Sequence, residues 1–478
     1  MSMKNKIIIF LALTIFVLVF IEACGNPFFP GLMDNLSRKG SGTGGGGGAK
    51  AFGTVAWVNT LTGVGKIGSW DPSARFSRIA IDQNGNVYTL GTQNSDFAYS
   101  YGNEAATTVA GTASVTNDIL VKYGADGKAK WAKTVGRDPA GLAKIEAITV
   151  DAAGNIYITG EITGPNPALV KYDTNGNLLW KSTVPEDLGL VVFKSVAVDK
   201  AGNAYAAGKN TGNNSVLVKY DSSGKDKWVK TVTEGTDPKR DPIVLNPLKS
   251  NAVAVDQAGN VYVTAKDTDN NSVLVKYNST GSEVWTKAVT GKANYVQLAV
   301  DGVGSIYVTG YQDGTDTYDY GNKVTVAGTS AGKNPILVKY DSDGNAKWAK
   351  TPEGSGLSGA TFYTVAVDKA GYVYVAGDQL GTLNYGNEVT VIGPDFFEGE
   401  RSSSVLVKYN TNGITLDAWI VGKVSSGESN FWDIALDPSS NYLYTVGYQD
   451  TKDEFDYGND NVVKGKCGEN PILVKFYR

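Results

Sequence analysis

Short apolar stretches separated by polar turns recur along residues 51–478, with few long helical patterns among them. The most compact copy covers residues 252–289 and reads as four strands: AVAVD, NVYVTA, SVLVKY and EVWTKAV. The second and third strands are almost continuously apolar, which is typical of strands buried on both faces. The fourth strand alternates more in other copies, as in AKWAKTV at residues 129–135, which favours an outer strand with one solvated face. The pattern predicts an all-β chain of four-stranded units.

Seven copies of the unit align on an Asp after the first strand, a Tyr in the second strand and a Lys in the third. The Asp positions are Asp82, Asp151, Asp199, Asp256, Asp301, Asp368 and Asp437. The Tyr positions are Tyr88, Tyr157, Tyr205, Tyr262, Tyr307, Tyr374 and Tyr444. The Lys positions are Lys122, Lys171, Lys219, Lys276, Lys339, Lys408 and Lys475. The regular spacing of the Asp residues, and the Gly that follows most of them, indicate structural turns and argue against a set of catalytic acids.

A Trp marks the fourth strand of six copies, but the seventh copy ends at its third strand, ILVKFYR. The six are Trp131, Trp180, Trp228, Trp285, Trp348 and Trp419. The segment around Trp57 resembles a fourth strand and has no preceding strands of its own. A closed ring in which this N-terminal strand completes the last sheet accounts for both ends, and it removes the unpaired edges of an open stack. Residues 51–478 are therefore predicted to form a seven-bladed β-propeller with Velcro closure.

The unit resembles a known repeat. The block DxxGNVYVTG followed by LVKYDxxGNxxW is similar to the beta-propeller repeat named for seven-bladed propellers (the SBBP repeat), over essentially all of residues 51–478. This resemblance implies the propeller fold, and because the family is common in secreted and surface proteins of uncharacterised role, it implies no activity. Residues 341–348 also resemble the tryptophan-docking motif of quinoprotein propellers. The flanking Ala and Thr of that motif are missing, so we interpret the likeness as shared blade packing and predict no quinone cofactor.

The N-terminus carries a targeting pattern. Lys4 and Lys6 precede an apolar run over residues 7–21, which at 15 residues is shorter than the roughly 20 that span a bilayer as a helix. The following Ile-Glu-Ala-Cys24 resembles the lipobox of bacterial lipoproteins, which implies lipidation of Cys24. We predict a signal peptide over residues 1–23 and a Gly-rich tether over 24–50. The alternative is an ordinary secretory signal with an incidental cysteine. The interpretation places the protein lipid-anchored in a bacterial cell envelope, at the outer membrane or cell surface.

Composition excludes several classes of site. The chain has no histidine, which removes Ser-His-Asp catalysis, His metal ligands and His pH switches. Its net charge of −4 and evenly spread lysines argue against nucleic acid. With Cys24 lipidated, Cys467 has no disulfide partner, and the sequence leaves open whether Cys467 is a buried apolar residue or a free thiol. We predict a monomer without metal or cofactor.

The copies differ in one interval, between the second-strand Tyr and the third-strand Lys. It is 14 residues in copies two to four, but 34, 32, 34 and 31 in copies one, five, six and seven. These four copies are consecutive in a closed ring, so their inserts form a crown on one arc of one face. Each insert contains Tyr-Gly-Asn, and two interpretations apply: a plain hairpin turning at Gly-Asn, or hairpins whose aromatic rings form a groove for a sugar or peptide. The candidate binding residues are Tyr99, Tyr101, Asn103, Tyr318, Tyr320, Asn322, Tyr385, Asn387, Phe396, Phe397, Tyr457 and Asn459.

The crown also carries several acidic residues, but it has no full DxDxDG loop of the kind that binds calcium. The features favour a non-catalytic binding or scaffold module that meets an unidentified protein or glycan at the crown. The alternatives are a component of an envelope assembly machine and a quinone- or calcium-dependent enzyme.

Overall fold

The structure is a computed structural model, and it describes residues 51–64, 72–94, 97–110, 116–135, 142–162, 167–184, 188, 191–210, 215–232, 252–266, 271–289, 293–354, 359–394, 402–423, 427–438, 441–450 and 454–478. The predicted signal peptide, Cys24 and the tether lie outside the described residues.

The described residues form seven four-stranded antiparallel sheets, which we call blades 1 to 7 after the repeat copies. Blade 1 contains β3 (Ala74–Ile81), β4 (Val87–Gln93), β7 (Asn117–Tyr123) and β8 (Ala129–Thr134). Blade 2 contains β9 (Leu142–Val150), β10 (Ile156–Ile162), β11 (Pro167–Tyr172) and β12 (Leu178–Thr183). Blade 3 contains β13 (Val191–Val198), β14 (Ala204–Asn210), β15 (Ser215–Tyr220) and β16 (Asp226–Val232). Blade 4 contains β17 (Val253–Val255), β18 (Val261–Lys266), β19 (Ser272–Tyr277) and β20 (Glu283–Ala288).

The remaining three blades follow the same order except at the last strand. Blade 5 contains β21 (Ala293–Val300), β22 (Ile306–Asp313), β25 (Lys333–Tyr340) and β26 (Ala346–Lys350). Blade 6 contains β28 (Gly359–Val367), β29 (Val373–Leu380), β32 (Ser403–Tyr409) and β33 (Thr415–Ile420). Blade 7 contains β35 (Ser429–Leu436), β36 (Tyr442–Asp450), β39 (Glu469–Tyr477) and, as its fourth strand, β1 (Val55–Asn59).

Short strands outside the blades belong to the crown inserts and to the connections between blades. They are β2 (Gly63–Val64), β5 (Ala98–Ser100), β6 (Thr108–Ala110), β23 (Thr317–Asp319), β24 (Thr325–Ala327), β27 (Glu353–Gly354), β30 (Thr382–Asn384), β31 (Thr390–Ile392), β34 (Gly422–Lys423), β37 (Glu454–Asp456) and β38 (Val462–Lys464). One 3₁₀ turn, Ala105–Thr107, lies among the described residues of the first insert.

The blades pack side by side in a closed cycle. The first strand of each blade contacts the first strand of the next, and β35 of blade 7 contacts β3 of blade 1. The strand β1 pairs antiparallel with β39, with Trp57 opposite Lys475, so the N-terminal strand completes the last blade as the sequence predicts. The described part of the chain is therefore a β-propeller in which the two ends of the propeller domain share one sheet.

Second and third strands are buried on both faces, as their continuous apolar pattern predicts. In blade 4, Val261, Tyr262, Val273 and Leu274 are all essentially inaccessible to solvent. Tyr262 and Leu274 pack in one apolar cluster with blade 5, whereas Val261 and Val273 pack in another with blade 3. Alternate side chains thus fill the two interfaces of a blade, and burial between blades stabilises the ring.

The repeated Asp closes the turn between the first two strands. Asp82 accepts hydrogen bonds from the backbone N–H of Asn84 and of Asn86, both at 2.9 Å, and from the Tyr88 hydroxyl at 3.1 Å. Gly85 follows with a φ of 75°, in the left-handed region that glycine occupies without strain. The described turns of the next four copies have the same arrangement at their Asp and Tyr. These repeated Asp residues are structural, which confirms the interpretation that they form turns.

Neighbouring blades are joined by a Lys and a Trp that reach the same turn of the next blade. In blade 4, Lys276 Nζ and Trp285 Nε1 donate to the carbonyl oxygen of Ser342 in blade 5, at 2.9 Å and 3.2 Å. The Trp285 ring lies against Gly344 of that turn, and Lys276 Nζ lies 5.4 Å from the centre of the Tyr262 ring. The same contact closes the ring, because Lys475 Nζ donates to Ala125 O at 3.1 Å and the Trp57 ring lies against Gly127.

One blade lacks this turn because both chain ends of the propeller meet there. By analogy with the other blades, Trp419 of blade 6 should contact a turn between the third and fourth strands of blade 7. No such turn connects them, because the third strand leads to Arg478 and the fourth strand follows residue 51. Gly53, with a φ of 76°, takes the place of the turn glycine and lies against the Trp419 ring. Arg478 Nη1 lies 3.4 Å from Asp368 Oδ2, which ties the C-terminus to blade 6. The closure therefore involves more than the shared strand.

Candidate functional site

The crown inserts are hairpins that extend the second and third strands of their blades. The hairpin strands β23 and β24, β30 and β31, and β37 and β38 pair antiparallel, as do β5 and β6 in blade 1. In the blade 6 hairpin, Asn387 and Glu388 both have left-handed φ values, 53° and 63°, as a type I′ turn requires. This confirms the hairpin interpretation in blades 5, 6 and 7, whereas the two hairpin strands of blade 1 are joined through the 3₁₀ turn Ala105–Thr107.

The hairpins also pair with the connections that enter their blades. The strands β2, β27 and β34 each follow the fourth strand of one blade and pair with the hairpin of the next, β5, β30 and β37 respectively. The inserts and the blade-to-blade connections therefore lie on the same face, which we call the crown face. The first strands of the blades begin on this face and the second strands end on it.

The crown tyrosines do not form the walls of a groove, so that part of the binding prediction is wrong. All six are at most 5% exposed: Tyr99, Tyr101, Tyr318, Tyr320, Tyr385 and Tyr457. The reason is that each hairpin folds down onto its own blade and inserts its rings into the core beneath. Tyr385, for example, packs against Phe362 with ring centres 6.3 Å apart. Their phenol groups are unavailable for stacking on a ligand.

A buried glutamine holds each Tyr-Gly-Asn tyrosine in place. The Tyr457 hydroxyl donates to Gln449 Oε1 at 2.9 Å, and Gln449 Nε2 donates to the Val463 carbonyl of the hairpin at 3.3 Å. Equivalent pairs join Tyr101 to Gln93, Tyr320 to Gln312 and Tyr385 to Gln379, at 2.8, 2.6 and 2.7 Å. The sequence signal that our interpretation missed is Gly-x-Gln at the end of the second strand, which occurs only in the four crowned copies.

The four asparagines of the prediction are exposed, but two have structural partners. Asn103, Asn322, Asn387 and Asn459 all lie at the crown surface. Asn322 Nδ2 donates to Ala346 O at 3.3 Å and Asn387 Nδ2 to Thr415 O at 2.8 Å, which anchors these hairpin tips to the fourth strands of their blades. The prediction for Phe396 and Phe397 lies outside the described residues.

A bulge in the first strand directs side chains towards the propeller axis. In blade 6 the register of β28 against β29 shifts between Phe362 and Thr364, which leaves Tyr363 as the extra residue. The bulge brings the Thr361 carbonyl against Gly377, where any Cβ would overlap it. Blades 1, 3, 5 and 7 have the same bulge against Gly91, Gly208, Gly310 and Gly447. The glycine of each VTG-like segment is therefore needed for the inner strand, whereas blade 4 has Ala265 in this position.

The first strands of all seven blades line one central cavity of about 470 Å³. Its apolar lining includes residues that follow the bulges, such as Ile148 and Val196, and Val253 of the unbulged blade 4. Its polar lining residues are Arg78, Lys194, Ser195, Gln297, Tyr363, Thr364, Trp432 and Asp433. These polar groups come from blades 1, 3, 5, 6 and 7, so no single repeat copy contains the site.

Carboxylates and aromatic rings gather where blades 6 and 7 meet this cavity on the crown face. We call Asp378, Glu428, Asn430, Tyr363 and Tyr448 the acidic cluster. The Tyr448 hydroxyl donates to Glu428 Oε1 at 3.0 Å, and Asn430 Nδ2 contacts both Glu428 Oε1 and, at 3.1 Å, the Tyr448 oxygen. Tyr363 hydrogen-bonds to Asp378 and lines the cavity.

Burial raises the pKa of the Asp378 carboxyl, and the neighbouring Glu428 carboxylate raises it further. Hydrogen bonds from Ser402 and Tyr363 act in the opposite direction. Burial likewise raises the pKa of Tyr448, with Glu428 adding to the rise. Among the described residues, nothing hydrogen-bonds to Asp378 Oδ1 or to Asn430 Oδ1, although both atoms are buried. The cluster thus contains two buried acceptors whose hydrogen-bonding capacity is not met within the described part of the chain.

The opposite arc of the cavity belongs to the plain blades and includes Lys194 in its lining. Lys194 Nζ lies 2.6 Å from Glu146 Oε1, and Lys144 Nζ lies 3.2 Å from the same oxygen. Burial lowers the pKa of Lys209, and the charge of Lys194 lowers it further. Lys144 and Lys194 therefore both contact the same carboxylate oxygen of Glu146.

Two further carboxylates bridge blades rather than face a ligand. Asp433 Oδ2 accepts the backbone N–H of Ile79 in blade 1 at 3.1 Å, and its Oδ1 accepts the Thr364 hydroxyl of blade 6 at 2.9 Å. Asp118 of blade 1 accepts the N–H of Ile145 in blade 2 at 3.2 Å, and burial raises the pKa of this carboxyl to about 7. Their hydrogen bonds hold neighbouring blades together.

No group of three or more Asp, Glu or Cys side chains with metal-binding geometry occurs in the described ranges. Cys467 is fully buried and forms no disulfide within the described residues, and its Sγ contacts the Glu469 carbonyl oxygen at 2.8 Å, so it is a core residue. None of the helical structure in the described part of the chain is long and apolar enough to cross a bilayer.

Comparisons with known proteins assign no activity to the chain. No family model matches the chain. An uncharacterized WD repeat-containing protein of Acanthamoeba polyphaga mimivirus is 32% identical over 109 residues, which make up 22% of this chain and only 8% of that protein.

Several solved structures are similar to the chain at a low level. A streptogramin B lyase is 9% identical with a TM-score of 0.44, covering 87% of this chain and 98% of its own. A protein from Lactobacillus plantarum is 12% identical with a TM-score of 0.43, covering 74% and 95%. A europium-containing methanol dehydrogenase is 12% identical with a TM-score of 0.40, covering 88% and 93%. The sheet topology of the chain itself establishes the β-propeller class, whereas the resemblance to the SBBP repeat and the lipoprotein assignment remain predictions.

Proposed function

We propose that this protein is a non-catalytic binding module of a bacterial cell envelope, tethered to the membrane through lipidated Cys24, and that it recognises its partner on the crown face. The observation that carries the proposal is the acidic cluster at the crown-side mouth of the central cavity. It combines half-buried carboxylate and phenol groups with a buried amide, and its member Tyr363 lines the cavity. Convergent polar groups in a concave site are typical of ligand recognition.

The recognition residues differ from those that the hairpin pattern predicts. Because the crown tyrosines are core residues, the hairpins have a structural role. They form the edge of the crown face on the arc of blades 5, 6, 7 and 1. The groups available for contact are the exposed hairpin tips around Asn387 and Asn459 and the polar groups of the cavity mouth. The unequal insert lengths support this location of the site, because the acidic cluster belongs to blades 6 and 7, and both of these blades carry a long hairpin.

Site-specific photocrosslinking in intact cells tests the proposal. A crosslinking residue at Glu388, which is exposed at the tip of the blade 6 hairpin, should capture a partner. The matched control is Val303, which is 84% exposed in a turn between first and second strands, on the face opposite the crown. Equal capture from both positions, or capture from Glu388 that survives Trp432→Ala in the cavity, would contradict recognition at the crown-side mouth.

The anchor has its own test. Wild-type protein should incorporate a radiolabelled or clickable fatty acid and sediment with membranes. A Cys24→Ser variant should lose both properties, because the acyl chains are attached to the cysteine that becomes the mature N-terminus. Protease treatment of intact cells then establishes whether the propeller faces outwards. Membrane association of Cys24→Ser equal to that of the wild type would refute the anchor.

A further inference from the structure

The described lining of the central cavity is ordered in layers. The residue four positions before the turn Asp lines the cavity in all seven blades, from Arg78 in blade 1 to Asp433 in blade 7. We call these seven equivalent positions the polar ring. The residue after each of them also lines the cavity and is aliphatic in every blade, as at Ile79 and Leu298. Because the first strands begin on the crown face, the polar ring lies closer to that face than the aliphatic layer does.

The part of the polar ring in blades 6 and 7 is engaged in its own hydrogen bonds. Asp433 Oδ2 accepts the backbone N–H of Ile79 at 3.1 Å, and its Oδ1 accepts the Thr364 hydroxyl and the N–H of Ile434, both at 2.9 Å. Burial raises the pKa of this carboxyl, whereas the charge of Arg78 acts in the opposite direction. Both oxygens of the one carboxylate in the polar ring are therefore occupied by neutral donors.

Three other members of the polar ring have hydrogen-bond donors to spare. Arg78 has five N–H groups, and its hydrogen bond within the described residues runs from Nη1 to the Ser77 carbonyl oxygen at 2.7 Å. Gln297 Oε1 accepts the N–H of Leu298 at 3.0 Å, which leaves Nε2 as a donor without an acceptor in the described part of the chain. Ser195 Oγ accepts the N–H of Val253 at 3.1 Å, so its own hydrogen is available. The spare donors thus come from blades 1, 3 and 5.

Small side chains leave space between these donors. Ala147 and Ala252 occupy the polar ring in blades 2 and 4, on either side of Ser195. Lys194 lines the cavity next to Ser195, but its Nζ already contacts Glu146 Oε1 at 2.6 Å, so a ligand does not depend on it. The cavity of about 470 Å³ has room for a small molecule whose polar end accepts several hydrogen bonds.

A carboxylate matches this set of groups. It offers two oxygens with about four acceptor positions and no donor, and a guanidinium can bind both oxygens at once through two parallel N–H groups. A primary ammonium, which has donors alone, would instead meet further donors at Arg78 and Gln297. The aliphatic layer beside the polar ring suits the carbon atoms of a short acid.

We propose that the central cavity binds a small carboxylate with a short aliphatic body, with Arg78, Gln297 and Ser195 as donors to its oxygens. The proposal goes beyond the proposed function, since the cavity accepts this ligand whether or not a partner binds on the crown face. A free acid and an acidic side chain of a peptide share this chemistry, and the test separates the two.

Ligand-observed NMR on the full chain in detergent micelles, with empty micelles as the blank, tests the proposal. The probe n-butyrate represents a free acid, butyramide is its neutral analogue of the same size, and Nα-acetyl-glutamate amide represents an acidic side chain. We expect an acid to bind and butyramide to bind at least tenfold more weakly. Binding of butyrate identifies a free acid as a ligand, and binding of acetyl-glutamate amide alone identifies a peptide side chain. Equal signals for the acids and butyramide, or no signal from any probe, would overturn the proposal.

Two matched variants separate the site from general electrostatic effects. Gln297→Glu keeps the shape of the side chain and the acceptor for Leu298, but it replaces the donor group by a charged oxygen, so affinity for the bound acid should fall at least tenfold. Gln257→Glu makes the same change at an exposed position in a turn on the face opposite the crown and should leave the affinity unchanged. Equal loss in both variants would show that only net charge matters, and the proposal would then be wrong.

A third variant remains informative if Gln297→Glu fails to fold. Arg78→Met removes the guanidinium and keeps a long side chain, so it should also weaken binding at least tenfold. The bound acid should raise the midpoint of thermal unfolding of the wild type and not that of Arg78→Met. An unchanged affinity in Arg78→Met would refute the assignment. Failure of all probes together with crown-specific photocrosslinking from Glu388 would refute the carboxylate site alone and leave the binding module standing.

Discussion

The contact of each fourth-strand Trp with a glycine of the next blade predicts a sharp difference between two similar glycines of blade 3. Gly202 and Gly224 each close a turn that begins with an Asp, and their φ values are 78° and 87°. A Cβ at Gly202 would meet Ser222 Cβ at 3.4 Å, an ordinary contact. A Cβ at Gly224 would lie 2.8 Å from Trp180 Cδ2, inside the contact distance that real side chains tolerate.

Alanine at Gly202 and alanine at Gly224 therefore share the cost of a left-handed backbone, but they differ in steric overlap. Alanine in a left-handed conformation costs roughly 1–2 kcal/mol relative to glycine, and this applies to both positions. Overpacking adds about 1–3 kcal/mol at Gly224 only, because the Trp180 ring must move away from the turn. That movement also lengthens the hydrogen bond from Trp180 Nε1 to Ser222 O, now 3.1 Å, which is worth about 1 kcal/mol. The free energy of unfolding should thus fall by roughly 2–4 kcal/mol more in Gly224→Ala than in Gly202→Ala.

Urea unfolding followed by tryptophan fluorescence and by circular dichroism measures the difference. The two variants serve as controls for each other, and a Trp180→Ala background provides a further test. In that background the overlap with the ring disappears and a contact with Ser182 Oγ at 2.9 Å is left, so most of the difference between the two alanine substitutions should vanish. If Gly224→Ala is no less stable than Gly202→Ala, or if the gap persists without Trp180, the contact between Trp and turn glycine does not stabilise the ring as we infer.

Three other predictions concern the ring closure, the crown and pH. Trp57→Ala should lower the free energy of unfolding by roughly 2 kcal/mol. This is less than the ~3–5 kcal/mol expected for a fully buried Trp, because the ring that packs on Gly127 is partly exposed. Calorimetry measures the change, and an unchanged midpoint of thermal unfolding would refute closure by that strand. Tyr457→Phe should lower the free energy of unfolding by about 1–3 kcal/mol, because Gln449 Oε1 stays buried without its donor. Adding Gln449→Leu should restore part of this stability, as measured by urea unfolding. Simple additivity of the two substitutions would contradict the prediction. The pKa of Asp118, raised to about 7, means that the folded state holds this proton more tightly than the unfolded chain, so its contribution to stability falls as pH rises from about 4 to 7. Asp118→Asn should therefore raise stability at pH 8 and flatten the pH profile across that window, and a profile identical to the wild type would refute the shift.

The repeat allowed the fold to be predicted because its signals are local. Strand type follows from whether apolar residues are continuous or alternate, and each turn is set by an Asp and a Gly a few residues apart, as at Asp82 and Gly85. Even ring closure could be inferred, since the unpaired strand around Trp57 and the missing strand after Arg478 are both visible in the sequence. The part that Gly53 takes in that closure was not visible, because a single glycine before a strand has no partner until Trp419 is placed beside it.

The candidate site could be predicted only in its location. Unequal intervals between Tyr and Lys correctly indicated which copies carry inserts, and those inserts form hairpins on one face. The direction of the hairpin side chains was wrong in the prediction, because the alternation of a two-stranded hairpin is the same whether it stands in solvent or folds onto its blade. The buried glutamine that pairs with each crown tyrosine decides between the two.

The sequence by itself determined the four-stranded unit, its repetition, the turns and the closure of the ring, since each depends on spacing within a few residues or on matching two chain ends. Only the tertiary structure decided that the crown tyrosines are core residues and that the acidic cluster exists. Asp378 belongs to blade 6 and Glu428 to blade 7, and no periodicity connects them. They belong to one cluster because blades 6 and 7 pack side by side in the ring, where seven separate first strands share one cavity.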